Sequence, residues 1–247
     1  MELNQNNYYS IKSNQQFFSV SQYKDFTKCE AMAIAKINGE YQPAMTKAML
    51  TGSFVDTYFE GTLDGFMEEH PEVFTRKNEL RSEYRKANEI IQRVTNDPVF
   101  SKFMSGEKQR IMTFKLFGVP WKMKMDSYLP GVCITDLKVV ANFKSLPLWR
   151  YDLQGAVYQE GVRLNTGEQL PFYLAVATKE RTIDLDIFQI TQPVLDIAMK
   201  EIEMNIMRFA RVKAGLAEPT YCGKCDYCKT VKKAKIRNYS ELLEEMK

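Results

Sequence analysis

Between Met125 and Val140 the chain reads MDSYLPGVCITDLKVV, two strand-like runs joined by a Pro130-Gly131 turn. Asp126 stands before the turn, and Asp136 and Lys138 follow it. Side chains alternate along a strand, so Ile134, Asp136 and Lys138 share one face while Thr135, Leu137 and Val139 take the other. Charges on the inner face of a strand covered on both sides need a partner or a metal ion, because a buried unpaired charge is costly. The ordinary alternative is an exposed hairpin that keeps both groups in water. Loop length separates the possible registers. A two-residue turn pairs Asp126 with Thr135, whereas a three-residue loop, Pro130 to Val132, sets Asp126 opposite Asp136. Opposed carboxylates repel and call for a cation. The odd loop length, or a bulge of equal effect, is the expectation.

Composition limits the chemistry available to these groups. The chain has 247 residues, room for one large domain or two small ones, and 45% are hydrophobic, enough for a sizeable core. There is one histidine, His70, which excludes metal sites built on several histidines and any triad that does not use it. His70 precedes a proline in a charged segment and reads as a surface loop. Chemistry therefore rests on carboxylates, lysines and cysteines. The net charge of +3 predicts no nucleic-acid binding by itself, since placement matters more than the sum. The basic cluster KTVKKAKIR, Lys229–Arg237, reads as a solvated tail. No run of about 18 apolar residues is present, so no membrane span is expected. The polar start, MELNQNNYYSIKS, lacks the apolar stretch of a secretory signal, and a reducing, cytoplasmic setting follows as the expectation.

Periodicity predicts a helix over Ser21–Ile37 with serine as N-cap, a second over Ala44–Glu60 and a third over Asn78–Val94. From Gln109 the pattern changes to alternation, predicting antiparallel strands joined at Gly118-Val119-Pro120 and at Pro130-Gly131. A helix over Trp149–Leu164, strands over Phe172–Ala177 and Ile183–Ile190, and a long helix in PVLDIAMKEIEMNIMRFARVKAGL follow. The order predicts an α/β (α+β) domain with a mixed central sheet flanked by helices. One domain over 1–228, closed by a cysteine-rich segment at 222–228, and a basic tail with a short helix over 229–247 complete the reading.

Two helical faces add candidates. Gly52, Asp56 and Glu60 are four apart, offering carboxylates and, at Gly52, close approach; Glu60 is the weaker of the acids. Gln154 and Tyr158, also four apart, place an amide and a phenol behind the Asp-x-Lys strand, where they could hydrogen-bond a phosphate or where Tyr158 could be core. Cys222, Cys225 and Cys228 form a Cys-x2-Cys-x2-Cys run that points to a metal ion or cluster, with Cys29 as the fourth ligand. Cys133 reads as a small buried apolar residue.

Taken in order, the helical G-x-x-x-D, the lone aspartate, the D-x-K strand and the Q-x-x-x-Y helix resemble the PD-(D/E)XK nuclease superfamily. The likeness is to its RecB-like and RecE-like exonuclease branch, including phage proteins of the exodeoxyribonuclease VIII type. It runs from FFSVSQYKDFTKC to CGKCDYC. The resemblance implies a restriction-endonuclease-like core in which Asp126, Asp136 and the Leu137 carbonyl ligate Mg2+ or Mn2+. It implies that Lys138 orients or activates the attacking water, and that Gln154 and Tyr158 assist near the scissile strand. Asp56 stands where the RecB-like branch commonly has a metal-binding histidine, and its oxygens can still ligate a hard cation. Linear DNA attacked from its ends, a role in recombination or repair, a single-strand annealing protein as partner and a homo-oligomer belong to the same implication. One early and three late cysteines resemble the iron–sulfur nucleases of the AddB type and the CRISPR adaptation nucleases, implying a [4Fe–4S] cluster on Cys29, Cys222, Cys225 and Cys228; four thiolates also suit Zn2+. Two alternatives stay open: a non-catalytic nucleic-acid-binding module that keeps the nuclease fold, and an assembly protein built around the cysteine site.

Overall fold

A computed structural model of the chain describes residues 1–234, 236 and 238–240. Helices α1 (Ile11–Gln16), α2 (Val20–Lys28) and α3 (Glu30–Ile37) lead to α4 (Lys47–Glu60), α5 (Leu63–Glu69), α6 (Ser82–Thr95) and α7 (Pro98–Phe103). Strands β1 (Arg110–Leu116), β2 (Val119–Met125), β3 (Ser127–Leu129) and β4 (Cys133–Val140) follow, then α8 (Tyr151–Thr166), β5 (Phe172–Thr178), β6 (Leu185–Ile190), α9 (Gln192–Lys213) and α10 (Asp226–Val231). Most of the short C-terminal helix expected near the end of the chain falls on 241–247, outside the described residues. Among the described residues no helix is long and apolar enough to cross a membrane.

The central sheet runs β3-β4-β5-β6, with β4 and β5 parallel and both outer pairs antiparallel. A parallel pair needs a long crossover, and α8 supplies it. The sheet is mixed, as expected, but the alternating stretch is not one continuous meander. β1 and β2 pair as a separate two-stranded sheet, and the chain changes sheets at Asp126. Their turn is Phe117-Gly118, both at positive φ (49° and 78°), the conformation a two-residue hairpin turn demands. Val119 and Pro120, expected in the turn, therefore begin β2. The second loop has three residues, because Leu129 pairs with Cys133. Extending the Ser127–Thr135 pair by one step sets Asp126 opposite Asp136.

The expected helix over Ser21–Ile37 is two helices. Ser19, not Ser21, caps α2, its side chain accepting from Gln22 N at 3.3 Å. Cys29 then adopts an extended conformation (φ −168°, ψ 113°) before α3 starts. Apolar periodicity survives the break because both helices bury residues, Tyr23 and Phe26 then Ala33 and Ile37, in the same core.

That core and a second one sandwich β4. Ile134 and Val140 pack with Tyr23, Val157 and Ile202 of α2, α8 and α9, whereas Leu137 packs with Phe54 and Ile90 of α4 and α6. Asp136 is only 2% exposed, so the exposed hairpin is excluded. Helix α8 lies unusually close to its neighbours. A Cβ on Gly155 would meet Phe172 Cδ1 at 2.7 Å and Leu195 Cδ2 at 2.8 Å, and one on Gly161 would meet Phe114 Cε1 at 2.5 Å. Glycine at these two positions lets α8 approach the sheet, which brings Gln154 within reach of Asp136.

Candidate active site

A cavity of about 430 Å3 opens beside β4, and Asp56, Glu60, Asp126, Asp136, Lys138, Gln154 and Tyr158 all line it. The acids arrive from different elements: Asp56 and Glu60 from α4, Asp126 from the sheet junction and Asp136 from β4. Asp126 Oδ2 accepts from Leu137 N at 2.9 Å, which ties the junction to the next strand. Gln154 Nε2 donates to Asp136 Oδ1 at 2.8 Å. Lys138 pairs with Asp136 Oδ2, an oxygen that accepts no well-directed hydrogen bond, and its ammonium lies 5.3 Å from the Tyr151 ring centre.

Electrostatics show how crowded the negative charge is. Burial pushes Asp56 up to about 8, Asp126 and Asp136 add to the rise, and Lys138 pulls against it. Burial likewise pushes Asp136 up to about 7; Lys138 opposes, and Asp126 reinforces it. Glu60 is raised chiefly by burial. Burial alone would lower Lys138, but Asp136 and Asp126 outweigh it and hold its ammonium well above the usual range. Lys138 thus faces several carboxylates that resist ionising together. A hard divalent cation with oxygen ligands would relieve that conflict, and the donor set fits Mg2+ or Mn2+. Asp56, Asp126 and Asp136 border the larger cavity together, and Asp56 and Asp126 also border a second, much smaller one beside Leu137.

Some expectations need correction. Gly52 is not a point of close approach: a Cβ there would meet nothing within 4 Å. Tyr158 is buried at the wall of the cavity, and its hydroxyl donates to Lys124 O at 3.0 Å, which ties α8 to β2. Burial holds that phenol well above its usual range. His70 pairs with Glu72 at 2.9 Å, away from the acids.

Several cavity residues escaped the sequence reading. Lys122 and Lys124 occupy alternate positions leading to Asp126, a period-two signal present in WKMKMD. Lys122 is buried and donates to Tyr8 O, Ser13 Oγ and Asn14 Oδ1. Lys24 donates to Trp149 O at 2.8 Å, and burial, with Lys138 nearby, lowers it to about 8. Tyr9 is 69% exposed on the rim, with the Lys124 ammonium 4.8 Å from its ring centre. Gln109 donates to Asp126 Oδ1 at 3.3 Å from a backbone with φ 52°. No periodicity announces Gln109 or Lys24.

The four cysteines form a separate site. The sulfurs of Cys29, Cys222, Cys225 and Cys228 all lie within 4.8 Å of one another, while Cys133 is buried elsewhere, 3.7 Å from Thr135 Oγ1. The extended residue at the α2–α3 break supplies Cys29, and the start of α10 supplies Cys225 and Cys228. Backbone N–H groups of Cys225 and Lys224 point at Cys222 Sγ and lower its thiol to about 6. A second tie lies alongside: Glu30 accepts from Arg208 Nε and Nη2 at 3.0 and 2.8 Å and from Thr220 N at 2.8 Å.

A mixed sheet carrying its acid and lysine on an inner strand, with a facing acid at the hairpin's far side, is the arrangement of PD-(D/E)XK proteins. The family described as PDDEXK-like domain of unknown function (DUF3799) matches residues 19–231, and the chain belongs to it. A solved structure from Eubacterium rectale, described as "Putative exonuclease", is 45% identical over 98% of this chain and 98% of its own, with a TM-score of 0.95. A second, of SSO0001, is 16% identical over 83% of this chain and 94% of its own; its TM-score of 0.36 is too low to support any argument. No curated protein matches the chain.

Proposed function

We propose that the protein is a divalent-metal-dependent deoxyribonuclease that removes nucleotides from the ends of linear DNA. The observation that carries this reading is the convergence of Asp56, Asp126, Asp136 and Lys138 on one cavity. Family membership and the likeness to the Eubacterium rectale protein support it. When bound, Mg2+ or Mn2+ supplies charge neutralisation at the phosphate and eases deprotonation of the attacking water. Asp56, Asp126 and Asp136, with the Leu137 carbonyl, would hold the ion, and the Leu137 N–H and the Gln154 amide fix the orientation of Asp126 and Asp136. Lys138, held protonated by its acidic neighbours, acts as a fixed positive charge beside the phosphate rather than as a proton acceptor. Lys24 and Lys124 add positive charge to the walls for the neighbouring phosphates, and Tyr9 offers a face on which a base can stack. Residues 1–228 would form the catalytic unit. A cytoplasmic role in recombination or repair, with a single-strand annealing partner and a homo-oligomer, is the wider setting this reading implies.

The test is degradation of linear and covalently closed circular DNA by purified protein with Mg2+, Mn2+ or chelator. Linear DNA should be consumed only with metal, circles should survive, and Asp136→Ala should abolish the activity. A metal-loaded preparation that cuts nothing, yet binds DNA equally well in chelator, would establish a non-catalytic binding module instead.

A further inference from the structure

We infer that Gln109 is an oxygen ligand of the divalent ion, its side-chain carbonyl joining Asp56 and Asp126 around a cation-sized hole. This rests on the metal-dependent reading above and adds a residue to it. Gln109, Asp56, Asp126, Leu137, Phe59 and Met104 line a cavity of about 10 Å3. That is room for about one water-sized occupant. Gln109 is 9% exposed, and its Oε1 is buried with no hydrogen-bond partner among the described residues. The other end of the amide is committed, because Nε2 donates to Asp126 Oδ1 at 3.3 Å. A carboxylate accepts and never donates, so the amide's orientation is fixed with nitrogen on Asp126 and oxygen left over.

A buried carbonyl oxygen without a donor is costly, and a bound ion is one of the occupants that satisfy such an atom in native structures. Gln109 Oε1 is the one side-chain oxygen among the described residues left buried with neither a hydrogen bond nor an ion pair, since Asp136 Oδ2 has the Lys138 ammonium. The backbone agrees. A non-glycine residue at φ 52° is strained, yet the conformation is retained at the first residue before β1, where the carbonyl accepts from Gln5 Nε2 at 2.8 Å. An amide carbonyl is a hard oxygen donor suited to Mg2+ or Mn2+, and unlike a fourth carboxylate it adds no charge to an already overcrowded site.

Mn2+ binding, followed by calorimetry or electron paramagnetic resonance without DNA, tests this separately from activity. Gln109→Gly suits the positive φ, and Gln109→Met keeps the volume without the oxygen; circular dichroism in chelator confirms that each is folded. Both should weaken Mn2+ binding by about 10- to 100-fold, and Gln109→Glu should bind at least as tightly as the parent. Asp126→Asn serves as the control. If Asp126→Asn weakens binding while either folded oxygen-less variant stays within twofold of the parent, the assignment of Gln109 is wrong and the metal site stands. If the parent protein itself takes up no Mn2+, the metal-dependent reading fails and the assignment with it.

The cysteine site supports an independent inference: its geometry points to a single Zn2+ rather than the four-iron cluster that the resemblance implies. Cys29 and Cys228 sulfurs are 3.5 Å apart, Cys222 and Cys228 sulfurs 3.9 Å, and every pair lies within 4.8 Å. A tetrahedral ion with zinc–sulfur bonds near 2.3 Å sets its sulfurs about 3.8 Å apart. A cubane places a separate iron under each thiolate, with sulfides between the irons, and spreads the four thiolates well beyond that spacing. Metal analysis and a visible spectrum on protein purified without oxygen decide between them, since a cluster cannot then be lost to air. One zinc per chain in a colourless protein, falling on Cys225→Ser, is the expected result. Four irons with cluster absorption, or a fully folded protein carrying no metal there, would overturn the inference.

Discussion

Neutralising Asp56 should stabilise the metal-free protein, although the residue lines the candidate active-site cavity. Asp56 makes no hydrogen bond within the protein among those described; burial and the facing carboxylates alone raise it from an ordinary 3.8 to about 8. In the unfolded chain the group ionises near 3.8, while in the folded chain it keeps its proton until about pH 8. Between those values the folded state binds more protons, so stability is fully present below pH 3.8 and is lost as pH rises towards 8. At 1.36 kcal/mol per pH unit the interval corresponds to about 6 kcal/mol for Asp56 treated alone. Asp126 and Asp136 share its protons, so the gain from Asp56→Asn at pH 8 is smaller, about 3 kcal/mol. That is a rise in Tm of roughly 6–12 °C for a chain of this size. Thermal unfolding followed by circular dichroism, in chelator, should show parent and variant together at pH 4 and the variant well above the parent at pH 8. Saturating Mn2+ should reverse the order, because only the parent retains that carboxylate for the ion. A parent Tm that stays flat from pH 4 to pH 8, with Asp56→Asn no more stable at the upper end, would refute the picture of mutually repelling buried acids.

Lys138→Ala should lower kcat by about 100- to 1,000-fold with little change in DNA affinity, measured by single-turnover cleavage against a binding titration. Gly155→Ala forces a Cβ to within 2.7 Å of Phe172 and should cost about 1–3 kcal/mol in urea unfolding. It should also lower kcat, because the shift of α8 carries Gln154 away from Asp136. Glu30→Gln removes the charge that Arg208 and Thr220 bracket and should cost about 1–3 kcal/mol by the same assay. Burial would raise the Glu30 carboxyl, but Arg208 and Thr220 hold it below its usual range, so the cost should be present above pH 4.5 and fade as the pH falls below it.

Local periodicity carried much of this protein. Alternation alone put Asp136 and Lys138 on one face, loop length put Asp126 across from Asp136, and the i, i+4 rule put Asp56 and Glu60 on one side of a helix. These relations depend on backbone geometry that repeats over a few residues, and a sequence records them directly. The thiols were legible for the same reason in Cys222, Cys225 and Cys228, and by elimination in Cys29. What the chain does between its elements left no such trace. The extended break at Cys29 interrupts a periodicity that continues on both sides of it. The sheet boundary at Asp126 looks like one more alternating residue, and Phe117 gives no sign of the positive φ it adopts. The burial that raises the acids, the pairing of Tyr158 with a backbone carbonyl and the entry of Lys24 and Gln109 into the cavity arise from packing between distant segments. A side chain's orientation there is set by the sum of many weak contacts, which no short stretch of sequence contains.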